Sequence, residues 1–97
     1  VRLLYTARAI ADLTEIADYL VSRSPIGAQR VRAAILVTLQ TLIDLPHAGR
    51  LQTADAVRKI AVRGDPYLVY YRIEEAAEEI VVLTVQHSAR RRAFRDA

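Results

Sequence analysis

Residues 67–87 read YLVYYRIEEAAEEIVVLTVQH, and the fold turns on how that stretch divides. Residues 67–73 are mostly aromatic or β-branched, and residues 80–86 are the strongest strand signal in the chain. Between them EEAAEE, 74–79, carries four glutamates, which suit a solvated turn. Two strands so closely joined pair antiparallel. Upstream, VRKIAVR at 57–63 alternates imperfectly and is separated from Tyr67 by the turn residues GDP. Residues 57–87 are therefore expected to form a three-stranded antiparallel meander.

Working back from the meander, DLPHAGRLQTADA at 44–56 is dense in proline, glycine and polar residues and is expected to be a loop. Before it lie two helical patterns. Ile10, Leu13, Ile16 or Ala17, and Leu20 recur at three- and four-residue spacing, which predicts a helix over 7–21. Ala28, Val31, Ile35, Thr38 and Leu42 do the same over 25–44, with Ala34, Leu39 and Ile43 widening the stripe. Ser24 suits the N-cap of the second helix and Pro25 its first position. So short a connection makes the helices an antiparallel hairpin. The apolar VRLLYT at 1–6 reads as a first strand.

These elements give one domain over 1–97: a strand at 1–6, a helical hairpin at 7–44, the meander at 57–87 and a basic tail at 88–97. The class is α+β, with the helices on one face of an antiparallel sheet. In 57–63 the set Arg58, Ile60, Val62 is more apolar than Val57, Lys59, Ala61, Arg63, so Lys59 and Arg63 are expected to point away from the helices. Tyr70 and Tyr71, on a central strand, are expected to fill core and cross-strand positions rather than stack on bases.

Composition sets further bounds. The chain has 97 residues, 53% of them apolar and 26% charged, values of a chain that folds around one core. No segment approaches the roughly 18 uninterrupted apolar residues that span a bilayer, and no secretory leader is evident at the N-terminus, so the cytoplasm is the expected location. With no methionine in the chain, the initiator is expected to precede Val1. The lack of cysteine excludes disulfides, thiolate metal sites and a cysteine nucleophile. Thirteen arginines and one lysine against 11 acids leave a net charge of +3. From Arg50 onward, outside EEAAEE, nine basic residues stand against three acids. That balance favours an anionic partner, nucleic acid or an acidic protein segment, although a solvated arginine-rich surface would read the same way.

Most catalytic constellations are missing. His47 and His87 are the two histidines, and neither has a second ligand at metal spacing, so neither a metal nor any other cofactor is expected. The three glycines are scattered and make no phosphate loop. Arginines and one strand-terminal histidine remain. They can clamp a phosphate and move a proton, which would suffice for a metal-free ribonuclease, or they can grip an acidic protein.

The ordered series ARAIADLTEIADYL, SPIGAQRV, LPHAGR, VRKI, PYLVYYRI, IVVLTVQHSAR resembles the ParE/RelE superfamily of toxins from type II toxin–antitoxin systems, modules of plasmid stabilisation. The most specific parts are P-x-x-G-R, P-Y-L-V-Y-Y-R and the strand-terminal V-x-H-x-x-R. The resemblance implies a helical hairpin on an antiparallel sheet that the first strand joins. It also implies a cognate antitoxin, ParD-like or RelB-like, whose C-terminal segment wraps the toxin in a hetero-oligomer. RelE-like members cut mRNA on the ribosome, and ParE-like members poison DNA gyrase. In RelE-like sequences an arginine precedes L-V-Y; here Tyr67 precedes Leu68, Val69 and Tyr70, and a shift of one residue places Leu68 there. The C-terminal tyrosine of many of those nucleases is absent from SARRRAFRDA at 88–97. The resemblance is therefore closer to ParE, with Arg50, Arg58, Lys59, Arg63, Arg72, His87, Arg90 and Arg91 expected to shape an antitoxin- and target-binding surface. His87 matches a histidine used by some of the ribonucleases, which leaves a second expectation: His87 moving the proton while Arg58, Arg63 and Arg90 hold the phosphate. A basic binding module without toxicity is the third.

Overall fold

The computed structural model describes residues 1–53 and 55–89. The order is β1 (Arg2–Tyr5), α1 (Ala7–Arg23), α2 (Pro25–Asp44), a 3-10 turn (Pro46–Ala48), β2 (Arg50–Leu51), β3 (Arg58–Ala61), β4 (Tyr67–Glu74) and β5 (Glu79–His87). The strands form one five-stranded sheet in the order β1-β5-β4-β3-β2. Its meander is antiparallel as expected, and β1 joins beside β5 in parallel, which makes the sheet mixed. A parallel neighbour requires a crossover, and the helical hairpin supplies it.

Short polar side chains set where the helices begin. The Thr6 hydroxyl accepts from the Ala9 N–H at 3.0 Å, capping α1, and donates to the Leu83 carbonyl at 2.7 Å. One residue thus ends β1, starts α1 and ties both to β5. Ser24 alone separates the helices: its N–H closes α1 on Leu20 at 2.8 Å, and its hydroxyl caps α2 by accepting from Gly27 at 3.1 Å. Helix α1 runs two residues past the expected Val21, to Arg23. There the Arg23 guanidinium lies 4.7 Å from the Tyr19 ring centre and its charge suits the helix C-terminus.

The main core lies between hairpin and sheet, where Ala9, Leu42, Val69, Tyr71 and Val82 are fully covered. A smaller cluster of Val57, Tyr70 and Leu83, flanked by Leu68 and Val81, forms on the other face. Both expected tyrosines are core, on opposite sides of β4. The β4–β5 register passes from Tyr70↔Thr84 to Tyr71↔Val82, so Leu83 bulges out of the ladder. Asp12 of α1 reaches this irregularity: its Oδ2 accepts from the Thr84 hydroxyl and from the Val85 N–H, the latter at 3.0 Å. The carboxylate satisfies the Val85 N–H just beyond the last rung that β1 shares with β5, Tyr5 opposite Val82.

The expected loop at 44–56 is only partly irregular. It holds the 3-10 turn and a two-residue strand, Arg50 opposite Lys59 and Leu51 opposite Arg58. Its anchor comes from β4. The Tyr71 hydroxyl, fully buried, donates to the Pro46 carbonyl at 2.7 Å and accepts from the Gly49 N–H at 2.8 Å. A strand of two residues cannot stand on its own propensity, which is why the local sequence did not disclose it.

Candidate functional site

The described members of the cationic set expected to form one surface are carried by several elements. Arg50 is exposed on the edge strand β2. Arg58 stands opposite Tyr71, on the helix-facing side, and its guanidinium donates to the carbonyls of Gly49 at 2.8 Å and His47 at 3.4 Å. Lys59 is opposite Tyr70, whose ring belongs to the far-face cluster, so it points away from the helices as its alternation implied. Arg63 is exposed in the turn between β3 and β4. Arg72 is half-buried and paired with Glu74 at 2.5 Å. Arg90 and Arg91, with the rest of the basic tail from residue 90, lie outside the described residues.

His87 ends β5 with its ring edge-on to Tyr67, centroids 5.5 Å apart. Its Nδ1 accepts from the Ala89 N–H at 3.0 Å, so the proton of the neutral ring sits on Nε2, the nitrogen left for chemistry or binding. Arg63 shares this end of the sheet: Val62 N–H donates to the Tyr67 carbonyl, and Ser88 N–H to that of Pro66. Arg58 does not. Its register partner Tyr71 is four rungs from the Tyr67 partner of His87, about 13 Å along the strand. Arg58 and His87 therefore cannot grip one phosphate in this arrangement.

Beside His87 is an open cleft of about 640 Å³, lined in part by Glu15, Tyr19, Arg30, Asp65 and Tyr67. Arg30 is neutralised there by Asp65, at 2.7 and 3.3 Å, and that pairing raises its pKa. Burial pushes the Tyr67 hydroxyl above its ordinary range, with Tyr19 and Asp65 adding to the effect. Tyr67 is thus a neutral hydrogen-bonding group at physiological pH, unsuited to act as a base. Among the described residues no cluster of histidine and carboxylate could hold a metal ion, and no helix is long and apolar enough to cross a membrane.

The second candidate was not singled out from sequence. Between α1, α2 and the end of β1 runs an apolar groove of about 430 Å³. Its walls include Tyr5, Leu13, Leu20, Val21, Ile35 and Leu36, and Gln29 and Arg32 supply its polar side. Several of these side chains remain in water, Val21 at 55% and Leu36 at 47% exposed. A signal existed: Val21, Leu36 and Val37 are apolar yet fall outside the stripes that bury each helix. An amphipathic helix with surplus apolar positions has a second face to cover.

Comparison with known proteins places this geometry. The model of a family described as the ParE toxin of the type II toxin–antitoxin system parDE matches residues 3–92. Toxin RelE2 of Caulobacter vibrioides is 35% identical over 89 residues, covering 92% of this chain and 97% of its own. Among solved structures, a chain of the chromosomal ParDE system from P. aeruginosa superposes with a TM-score of 0.74 at 27% identity, over 90% of this chain and 95% of that one. A chain of the intact E. coli RelBE toxin–antitoxin complex gives 0.68 at 19% identity, over 92% and 98%, a likeness of fold.

Proposed function

The chain belongs to the ParE toxin family of type II toxin–antitoxin systems, and from that premise we propose that it arrests growth by inhibiting DNA gyrase until a ParD-like antitoxin silences it. The groove between the helices carries the antitoxin half of this reading. It is apolar, open and edged by Arg32, which suits the apolar face of an acidic amphipathic helix. The gyrase half is supported by the dispersal of the cations. Arg58 is spent on the Gly49 and His47 carbonyls and Arg72 on Glu74, so among the described residues neither stands ready to hold a phosphate beside His87. Purified chain added to gyrase should abolish supercoiling and leave broken DNA, and the antitoxin should restore activity. Normal supercoiling at saturating chain would overturn the assignment.

A RelE-like, ribosome-dependent mRNA endonuclease is the second reading. It is favoured by the likeness to Toxin RelE2 and by the position of His87 beside an open cleft, with Nδ1 turned to the Ala89 N–H. Primer extension on mRNA in a translating extract decides it. Under this reading cuts appear with the wild-type chain and vanish with His87→Ala.

A further inference from the structure

Helix α2 has a side that none of the described residues covers. Ile26, Arg30, Ala33, Val37, Gln40 and Asp44 recur at alternating four- and three-residue spacing, which aligns them along one face about 27 Å long. All six are exposed, Ile26 at 81% and Val37 at 66%. They lie opposite Val31, Ile35, Thr38, Leu39 and Leu42, the residues that bury the helix. None of the six lines the groove between the helices. A stripe at this spacing, apolar at its centre, is the pattern by which two helices pack side by side. The charges of α2 also run against its own dipole. No acid stands in its first turn and no base in its last. Arg30 and Arg32 fall in the first half and Asp44 at the end, where a negative charge meets the negative pole.

One neighbour answers both features: a second copy of α2 running antiparallel. The six positions are placed symmetrically about Ile35, so a two-fold axis there sets Ala33 opposite Val37 of the partner copy, and Val37 opposite its Ala33. Small then meets large twice at the centre, which lets the helix axes approach to about 8–10 Å. Arg30 falls opposite Gln40 of the partner copy, within one turn of its Asp44. The Arg30 guanidinium gives two donors to Asp65 and carries five, so a second carboxylate can share it. Asp44 in turn comes beside the positive N-terminal end of the neighbouring helix. We propose that the chain self-associates through this face of α2 into an isologous dimer. A contact one helix wide is smaller than the roughly 800 Å² per partner of a standard interface, so the dimer is weak, with Kd on the order of 10 μM. Both grooves between the helices stay open in it, and the inference holds whichever target the chain acts on.

Sedimentation equilibrium on the full chain, over concentrations from about tenfold below to tenfold above that Kd, tests the dimer. The weight-average mass should climb from one copy toward two. Val37→Glu should hold it at one copy throughout and leave the unfolding midpoint unchanged, since the side chain is 66% exposed. A wild-type mass that stays at one copy overturns the proposal. Register is read by cross-linking, which the absence of native cysteine makes clean. Chains carrying Ala33→Cys and Val37→Cys, mixed and oxidised, should form the mixed disulfide about tenfold faster than either forms its own, because only the unlike positions face each other. Equal rates overturn the antiparallel pairing. The antitoxin co-expressed from the adjoining reading frame supplies the remaining arm. If Val37→Glu weakens antitoxin binding while the wild-type chain alone stays at one copy, the stripe belongs to the antitoxin and self-association is overturned.

Discussion

At the level of single residues, the motif P-x-x-G-R is a structural staple. Pro46 and Gly49 present a carbonyl and an N–H to the Tyr71 hydroxyl, and Arg58 takes the next carbonyls. A Cβ on Gly49 would sit 2.6 Å from that hydroxyl and 3.0 Å from the Lys59 carbonyl, so no side chain fits. Gly49→Ala should destabilise the chain more than Tyr71→Phe does. The phenylalanine leaves buried backbone groups unpaired, a cost of about 1–3 kcal/mol in denaturant unfolding. The alanine adds a clash with backbone to the same loss. A change in the other direction is available at Glu78, which closes the EEAAEE turn with φ of 53°, a conformation that side chains disfavour and glycine accepts. Glu78→Gly should raise stability by about 0.5–1 kcal/mol, read as a higher denaturation midpoint.

At the level of elements, the hairpin and the meander were legible because each rests on local chemistry. Ser24 and Pro25 fix the helix boundary, and apolar periodicity marks what lies on either side. β2 was not legible, since its two residues are placed by Tyr71, some twenty positions away in sequence. The Asp12 contact with the β5 bulge was hidden for the same reason: nothing near Asp12 says which carboxylate of α1 meets an irregular strand. The groove is a property of the paired helices, and it can be tested apart from stability. Leu36 is 47% exposed on its wall, so Leu36→Glu should change unfolding free energy by less than about 0.5 kcal/mol. It should nevertheless reduce antitoxin capture at least tenfold in a pull-down with co-expressed partner, because a carboxylate would be buried in an apolar seat.

At the level of the whole molecule, burial holds several tyrosines neutral. Tyr5, Tyr67 and Tyr71 all have pKa values raised above the ordinary 10.0, chiefly by burial, with Gly49 and Arg58 pulling Tyr71 back in part. A phenol whose folded pKa exceeds its unfolded one contributes stability that is complete below pH 10 and is lost as pH rises through the raised values. Tm should therefore not fall on this account up to about pH 9 and should fall beyond pH 10, with the decline reduced in Tyr71→Phe. Thermal scans across that range check it. The amino-acid sequence by itself determined the two helices, the four longer strands, their order and the α+β class, because periodicity, caps and turn residues act over a few positions. Only the tertiary structure decided which charges share a surface. Arg58, Arg63, Arg72 and His87 look equivalent in a basic list, yet register and strand face send one to carbonyls, one to a turn, one to a glutamate and one to an open cleft. The groove and the free edge of β1 likewise exist only once two helices and five strands are packed, since each is defined by what packing leaves uncovered.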